Sequence, residues 1–521
     1  MRPAWTRTRT LTERGYLGRG GGRWRRVPSP AMWFASSQQI PGIYPFGTGT
    51  SAPVSGAPLG RDMKTGAAVA MDHHSLYMEG TISSPSCFLF GINGVGKSST
   101  AELIVGGQMG RGMIPAVFNP LKKGEHTPLV ERAGGKVFEF GPTARHQLNL
   151  LSRGPLGLAA DRIGGVTGEE LRELGTWKAV QQTKVVLQVS RAQPMTDIEE
   201  FVVEVLVEDI LATRESPRTA DLATAFAQPS DTVLSRTGFR TAEELQARFQ
   251  GLGESIRALL GGDLGRLLGG DDSVELDPGN RGGFCFDTSS IPDTAPRLLS
   301  TAMLLSWSLG MDAIDAHWEL ALYEAAKARE AEENGDQYEP EVVWTGYTTL
   351  MDEFWYPIRS TPGIIERADQ LSRSNRSVGT AEMKITHSPK DMLSLPDPAD
   401  REKARGLAER SGLLGLMSLT RSDLEELSQV KPLTNKEISE VLSFNGSSTW
   451  AKAPILRRPG RLNSAISAPP GAGKVLFKVE GRPGISVQLV QTPAQEELHI
   501  TDSRFRLQQE QQLRRTRRRV A

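Results

Sequence analysis

The chain is poor in cysteine, in aromatic residues and in long apolar runs. Only Cys87 and Cys285 occur among 521 residues, so neither a disulfide framework nor a cysteine-ligated metal site can be built, and a reducing compartment suits the chain. Each sits in an apolar, strand-like run and reads as a buried free thiol. No apolar run approaches the ~20 residues with which a helix crosses a bilayer. A surplus of one charge is also missing: 61 Lys and Arg are matched by 61 Asp and Glu. The match is uneven along the chain. Residues 1–30 hold eight arginines against Glu13 alone, and Arg514, Arg515, Arg517, Arg518 and Arg519 crowd the last eight residues. What lies between is acidic, which argues against a nucleic-acid footprint over the whole body and leaves such contacts, or contacts with anionic lipid, to the ends.

What is present is ordinary for a globular protein: 38% hydrophobic and 23% charged residues. The length allows two or three domains, or one large domain with an insertion. Residues 1–35 read as a basic disordered leader and 505–521 as a basic tail. Residues 36–154 read as the first part of a core, with Gly42 to Asp72 supplying turns and hairpins ahead of the main fold. In residues 155–270, "DIEEFVVEVLVEDILATR" and "TAEELQARFQGLGESIRALLGG" space apolar residues helically, which predicts a helical insertion. Residues 271–504 return to strand chemistry in "SVELDP" and "GGFCFDTSSI", pass through a long helix from about Pro296 to Glu333, and continue with "EVVWTGYTTLMDEFW" and "AEMKITHS". Strands alternating with helices predict an α/β fold with a mostly parallel sheet covered on both faces.

One stretch carries chemistry. "CFLFGINGVGKSST" runs from a buried strand through a glycine loop into a helix-forming segment. Gly91, Ile92, Asn93, Gly94, Val95, Gly96, Lys97 and Ser98 fit G-x-x-x-x-G-K-[ST] at every fixed position, with Ser99 following. Glycines let backbone N–H groups turn inward around an anion, and the helix start adds its positive end. Lys97 is placed for the β- and γ-phosphates of ATP, and the Ser98 hydroxyl for Mg²⁺. A second run, Gly471-Ala472-Gly473-Lys474, has Val475 where a hydroxyl is needed and leads into strand-forming residues. It reads as a turn before a strand.

Hydrolysis needs an acid for the metal and a group to position water. "TTLMDEFW" offers Asp352 and Glu353 at a strand end. Strand alternation would send them to opposite sides, Asp352 to Mg²⁺ and Glu353 to the attacking water. Further on, Arg373 and Arg376 precede a strand ending in Thr386-His387-Ser388. A polar residue there, beside the phosphate loop, could contact the γ-phosphate.

The loop and acid pair, together with "GIYPFGTGTSAPVSGAPLGR", "VFNPLKKGEH", "MDEFWYPIRS", "HSPKDMLSLPDPADREKARGLAERSG" and "PPGAGKVLFKVEGRPGISVQL", resemble the conjugative and type IV secretion ATPases of the HerA/FtsK superfamily, in their actinobacterial form. The resemblance covers about Ser36 to Arg504. It implies a RecA-like P-loop core with a helical insertion, an ATP- and Mg²⁺-dependent motor, and assembly as a hexameric ring at the cytoplasmic face of the inner membrane. Channel components and DNA are the partners it implies. By the same match Lys97, Glu353, Arg376 and His387 are catalytic, Arg376 as an arginine finger ahead of Arg373 and Arg410. Ser98 and Asp352 hold the metal, and His387 stands where relatives usually carry glutamine. The resemblance also implies that the front domain by which relatives dock to the channel is lacking here. A DNA-pumping translocase and a degenerate ATP-binding scaffold are the alternative readings.

Overall fold

The structure is a computed structural model that describes residues 11–12, 15–16, 52–118, 125–142, 144–191, 194–268, 274–292, 294–354, 379–393, 395, 397–444, 471–492 and 495. Most of the Arg-rich leader, the whole Arg-rich tail, and the segment 355–378 that carries Arg373 and Arg376 lie outside the described residues. The chain divides into two units, Met1–Ser51 and Ala52–Ala521. In the first, Leu11–Thr12 (β1) and Gly15–Tyr16 (β2) pair antiparallel, a two-rung ladder inside the expected leader.

The second unit is built on one sheet. Its strands are Pro58–Asp62 (β3), Ala68–Ala70 (β4), Ser86–Phe90 (β5), Ile114–Phe118 (β6), Lys136–Glu139 (β7), Phe284–Asp287 (β8), Tyr347–Met351 (β9), Ala381–Thr386 (β10), Leu413–Leu416 (β11), Lys474–Val479 (β12) and Ile485–Leu489 (β13). Their order is β4-β3-β13-β12-β11-β5-β10-β9-β6-β8-β7. From β11 to β7 every neighbouring pair is parallel. From β11 outward through β12, β13, β3 and β4 the pairs are antiparallel.

Parallel strands are covered on both faces, so they need apolar residues at successive positions. β5, β6 and β8 are buried along their whole length. Alternation splits their side chains between two cores. Phe88 and Phe90 point into one, with Phe118, Phe286 and Trp307 of the long helix Pro296–Asn334. Cys87 and Leu89 point into the other, with Ile104, Val117 and Ile385. Burial pushes the Cys87 thiol up to about 12, so both cysteines are inert core residues as the sequence suggests. β9 is buried throughout despite its threonines. Thr348 donates its hydroxyl to Gln108 Oε1 at 2.6 Å and Thr349 to the Ala381 carbonyl at 3.2 Å.

Two local expectations need correction. The β3–β4 hairpin belongs to the main sheet as its antiparallel edge, where Pro58 at the first strand position and Gly60 are tolerated. Of "SVELDP", the described residues 274–278 form no strand: the Val274 N–H donates to the Gln147 carbonyl instead of to a neighbouring strand. Between β7 and β8 the described residues from Gly154 to Leu268 form eight helices. Their apolar faces, including Leu206 and Leu252, share the core that holds Phe118.

Candidate nucleotide site

The glycine loop leaves β5 at its C-terminal end and enters the helix Lys97–Met109. Gly94 (φ 83°) and Gly96 (φ 97°) hold left-handed backbone that a Cβ would strain, which is what turns the loop back on itself. Gly96 caps the helix without a side chain, so the helix N-terminus opens directly onto the loop. Two neighbours brace the loop. The Ile92 N–H donates to the Ser418 carbonyl at 3.0 Å, and the Gly473 N–H donates to the Val95 carbonyl at 3.1 Å. The second glycine run is thus a turn opening β12, as its sequence predicts. The sequence does not reveal that this turn rests on the phosphate loop.

Lys97 is buried to 8% exposure. Its ammonium donates to the Gly91 carbonyl at 2.8 Å and lies 2.8 Å from His387 Nδ1. Since a lysine only donates, Nδ1 accepts and the ring proton belongs on Nε2. Nε2 faces Glu353 Oε1 at 3.0 Å. Lys97, His387 and Glu353 therefore form one polar chain. It spans three adjacent strand ends, because β10 lies between β5 and β9.

Asp352 and Glu353 diverge by a different device from strand alternation. β9 ends at Met351 and the pair sits in a turn in which Glu353 is left-handed (φ 48°). That turn sends Glu353 to His387 and Asp352 to the other side. Asp352 Oδ1 accepts the Glu353 N–H at 2.9 Å, and Oδ2 lies 3.2 Å from His126 Nε2. His126 Nδ1 lies 2.7 Å from Glu102 Oε1, which also accepts the His126 backbone N–H at 3.1 Å. Burial opposes charge on both Asp352 and His126, but the hydrogen bonds and opposite charge win. The carboxyl is held below its ordinary range and the imidazole well above its own. His126 is itself left-handed (φ 62°). Such backbone costs about 1–3 kcal/mol per residue and collects at functional sites.

Glu102 escaped the sequence reading, and Glu125 and His126 entered it only as the end of "VFNPLKKGEH", without a role. Glu102 lies four residues after Ser98, on the same helix face, which is the signal that could have found it. Glu125, His126 and Asp352 present ligand-type atoms that all lie within 4.8 Å of one another. Among the predicted residues, the structure brings Gly91 to Ser99, Asp352, Glu353 and His387 to one end of the sheet. Arg376 lies outside the described residues.

A strand, glycine loop and helix within the parallel part of the sheet, with acids just past the end of the next strand but one, define a RecA-like P-loop fold. No known family profile and no curated protein matches the sequence. Among solved structures, VirB4 of Thermoanaerobacter pseudethanolicus aligns with a TM-score of 0.58 at 16% identity, covering 86% of this chain and 100% of that one. The bacterial conjugative coupling protein TrwBdeltaN70, unbound, gives 0.43 at 12% identity over 85% and 89%. Plasmid coupling protein TrwB with a non-hydrolysable ATP analogue gives 0.42 at 12% identity over 78% and 85%. The fold is that of VirB4.

Proposed function

We propose that the chain is an ATP-hydrolysing motor of conjugative transfer or type IV secretion. The observation that carries this reading is the joining of Lys97, His387 and Glu353 across three adjacent strand ends, on the fold of VirB4. The loop amides and Lys97 bind the phosphates. Ser98 and Asp352 are the residues that would hold Mg²⁺, an oxygen donor pair suited to it, and bound there it neutralises charge on the β- and γ-phosphates. Glu353 orients the attacking water and accepts its proton. His387 exchanges Lys97 for the γ-phosphate when nucleotide enters. Arg376 reaches the nucleotide of an adjoining protomer in a hexameric ring, and residues 155–270 form an insertion in the motor core. Channel components and DNA are its partners, at the cytoplasmic face of the membrane. Among the described residues no helix is long and apolar enough to cross one.

Turnover measured with and without DNA tests this reading. DNA-independent ATP hydrolysis supports a secretion motor, strong stimulation by DNA favours a translocase or coupling protein, and nucleotide binding without turnover leaves a scaffold.

A further inference from the structure

The P-loop helix and the acid pair are connected by a second route, distinct from the one through His387. Glu102 on the helix Lys97–Met109, His126 after β6 and Asp352 after β9 form a continuous chain, at 2.7 Å and 3.2 Å. All three are almost wholly buried, with exposures of 3%, 0% and 4%. A buried polar group of this kind is costly unless it is hydrogen-bonded, and here both ring nitrogens of His126 and both oxygens of Asp352 have partners, as has Glu102 Oε1. Glu102 Oε1 grips His126 twice, at Nδ1 and at the backbone N–H, which fixes the ring plane as well as the ring position. The ring then fixes one oxygen of Asp352, while the Glu353 N–H fixes the other. The left-handed backbone at His126 and at Glu353 is what aims these two donors at one carboxylate.

We propose that His126, held by Glu102, is a positioning residue that sets the orientation of the Asp352 carboxylate for the divalent cation of the nucleotide site. The inference rests on the reading of Asp352 given above. A carboxylate that must hold a cation gains from a fixed orientation, and the outer partners of metal ligands typically affect metal affinity 10–100-fold. Each ring nitrogen of His126 faces a carboxylate oxygen, so no ring lone pair is directed at a cation. That geometry favours an orienting role over direct ligation, although Glu125 lies close by. The relay also ties Asp352 to the helix that bears Ser98, so the two oxygen donors keep a common frame.

The test is a Mg²⁺ titration of the full-length chain, read by binding of a fluorescent ATP analogue and separately by turnover. His126→Ala should raise the Mg²⁺ concentration for half-maximal nucleotide binding by ~10–100-fold. Metal-free nucleotide binding should not change, and most turnover should return at saturating Mg²⁺. His126→Gln, which keeps an N–H within reach of Asp352, should shift the titration less. Glu102→Leu, which removes the grip from the far end, should shift it in the same direction and serves if either histidine variant fails to fold. An unchanged Mg²⁺ dependence in folded variants overturns the inference. So does a nitrogen hyperfine coupling to bound Mn²⁺ that is lost in His126→Ala, since the ring would then be a ligand. Lys97→Ala separates the two levels: if that variant binds nucleotide normally, the reading of the site fails whatever His126 does.

Discussion

Lys97 Nζ lies 2.8 Å from His387 Nδ1, so the cation of the phosphate loop is already paired with the residue ending the neighbouring strand. With Glu353 on the far side of the ring, His387 can pass the arrival of a phosphate on to the group proposed to position water. His387→Ala should bind ATP with little change and turn over ~10-fold or more slower, while His387→Gln should recover part of the rate. Parallel binding and single-turnover measurements decide it. A loss confined to binding would assign His387 to ground-state contact alone.

The two glycine runs are expected to behave differently. Lys97→Ala should abolish tight ATP binding, because its ammonium is the loop's own cation at the phosphates. Lys474→Ala should bind normally, because Lys474 is the first residue of β12. Equal losses in an equilibrium binding assay would mean that the second turn does more than brace the first.

Glu353→Gln keeps the shape of the side chain and removes its capacity to take a proton. Nucleotide binding should persist and turnover should fall by about 10²-fold or more. Asp352→Asn should weaken Mg²⁺-dependent binding instead. Steady-state hydrolysis at the wild-type rate by Glu353→Gln would move the water-positioning role elsewhere.

Arg376 is proposed as a finger only from the resemblance that the sequence carries, and mixing tests it. Arg376→Ala should bind ATP and hydrolyse it ~10³-fold more slowly, the usual worth of an arginine finger. Combined with the Lys97→Ala chain it should regain activity, since the intact loop of one protomer meets the intact arginine of another. Absence of rescue, with a rate per chain independent of concentration, would remove the finger in trans.

His73 supplies a stability prediction away from the site. It is fully buried on the helix His73–Met78, and neither ring nitrogen has a hydrogen-bond partner among the described residues. Burial lowers its pKa from 6.5 to about 4. Between those values the unfolded chain binds the proton and the folded chain does not, so stability falls as pH drops from about 6.5 to about 4 and levels off below. The full effect is about 3 kcal/mol. Denaturant melts of His73→Leu should lose this part of the slope and show no penalty at pH 7. A slope equal to that of the parent chain would assign the acid sensitivity to other groups.

The sequence alone determined the phosphate loop, because G-x-x-x-x-G-K-[ST] between a strand and a helix specifies its own local geometry. It indicated the parallel core as well, since short apolar runs such as "CFLF" alternate with helical segments, the pattern of strands covered on both faces. The long helix, Pro296–Asn334, was equally legible, because its apolar positions recur at helical spacing. Strand order was not legible, because ladder partners lie far apart in the chain: β10 enters between β5 and β9 across nearly three hundred residues. The place of His126 was hidden for the same reason. Nothing near residue 126 announces Asp352, 226 positions on, and only the folding of β6 beside β9 brings them together. Asp352 and Glu353 are expected from the sequence to diverge, and they do, but by another device. A left-handed turn at Glu353, not strand alternation, parts them, because backbone conformation after a strand end is set by the contacts waiting there, and those exist only in the folded chain.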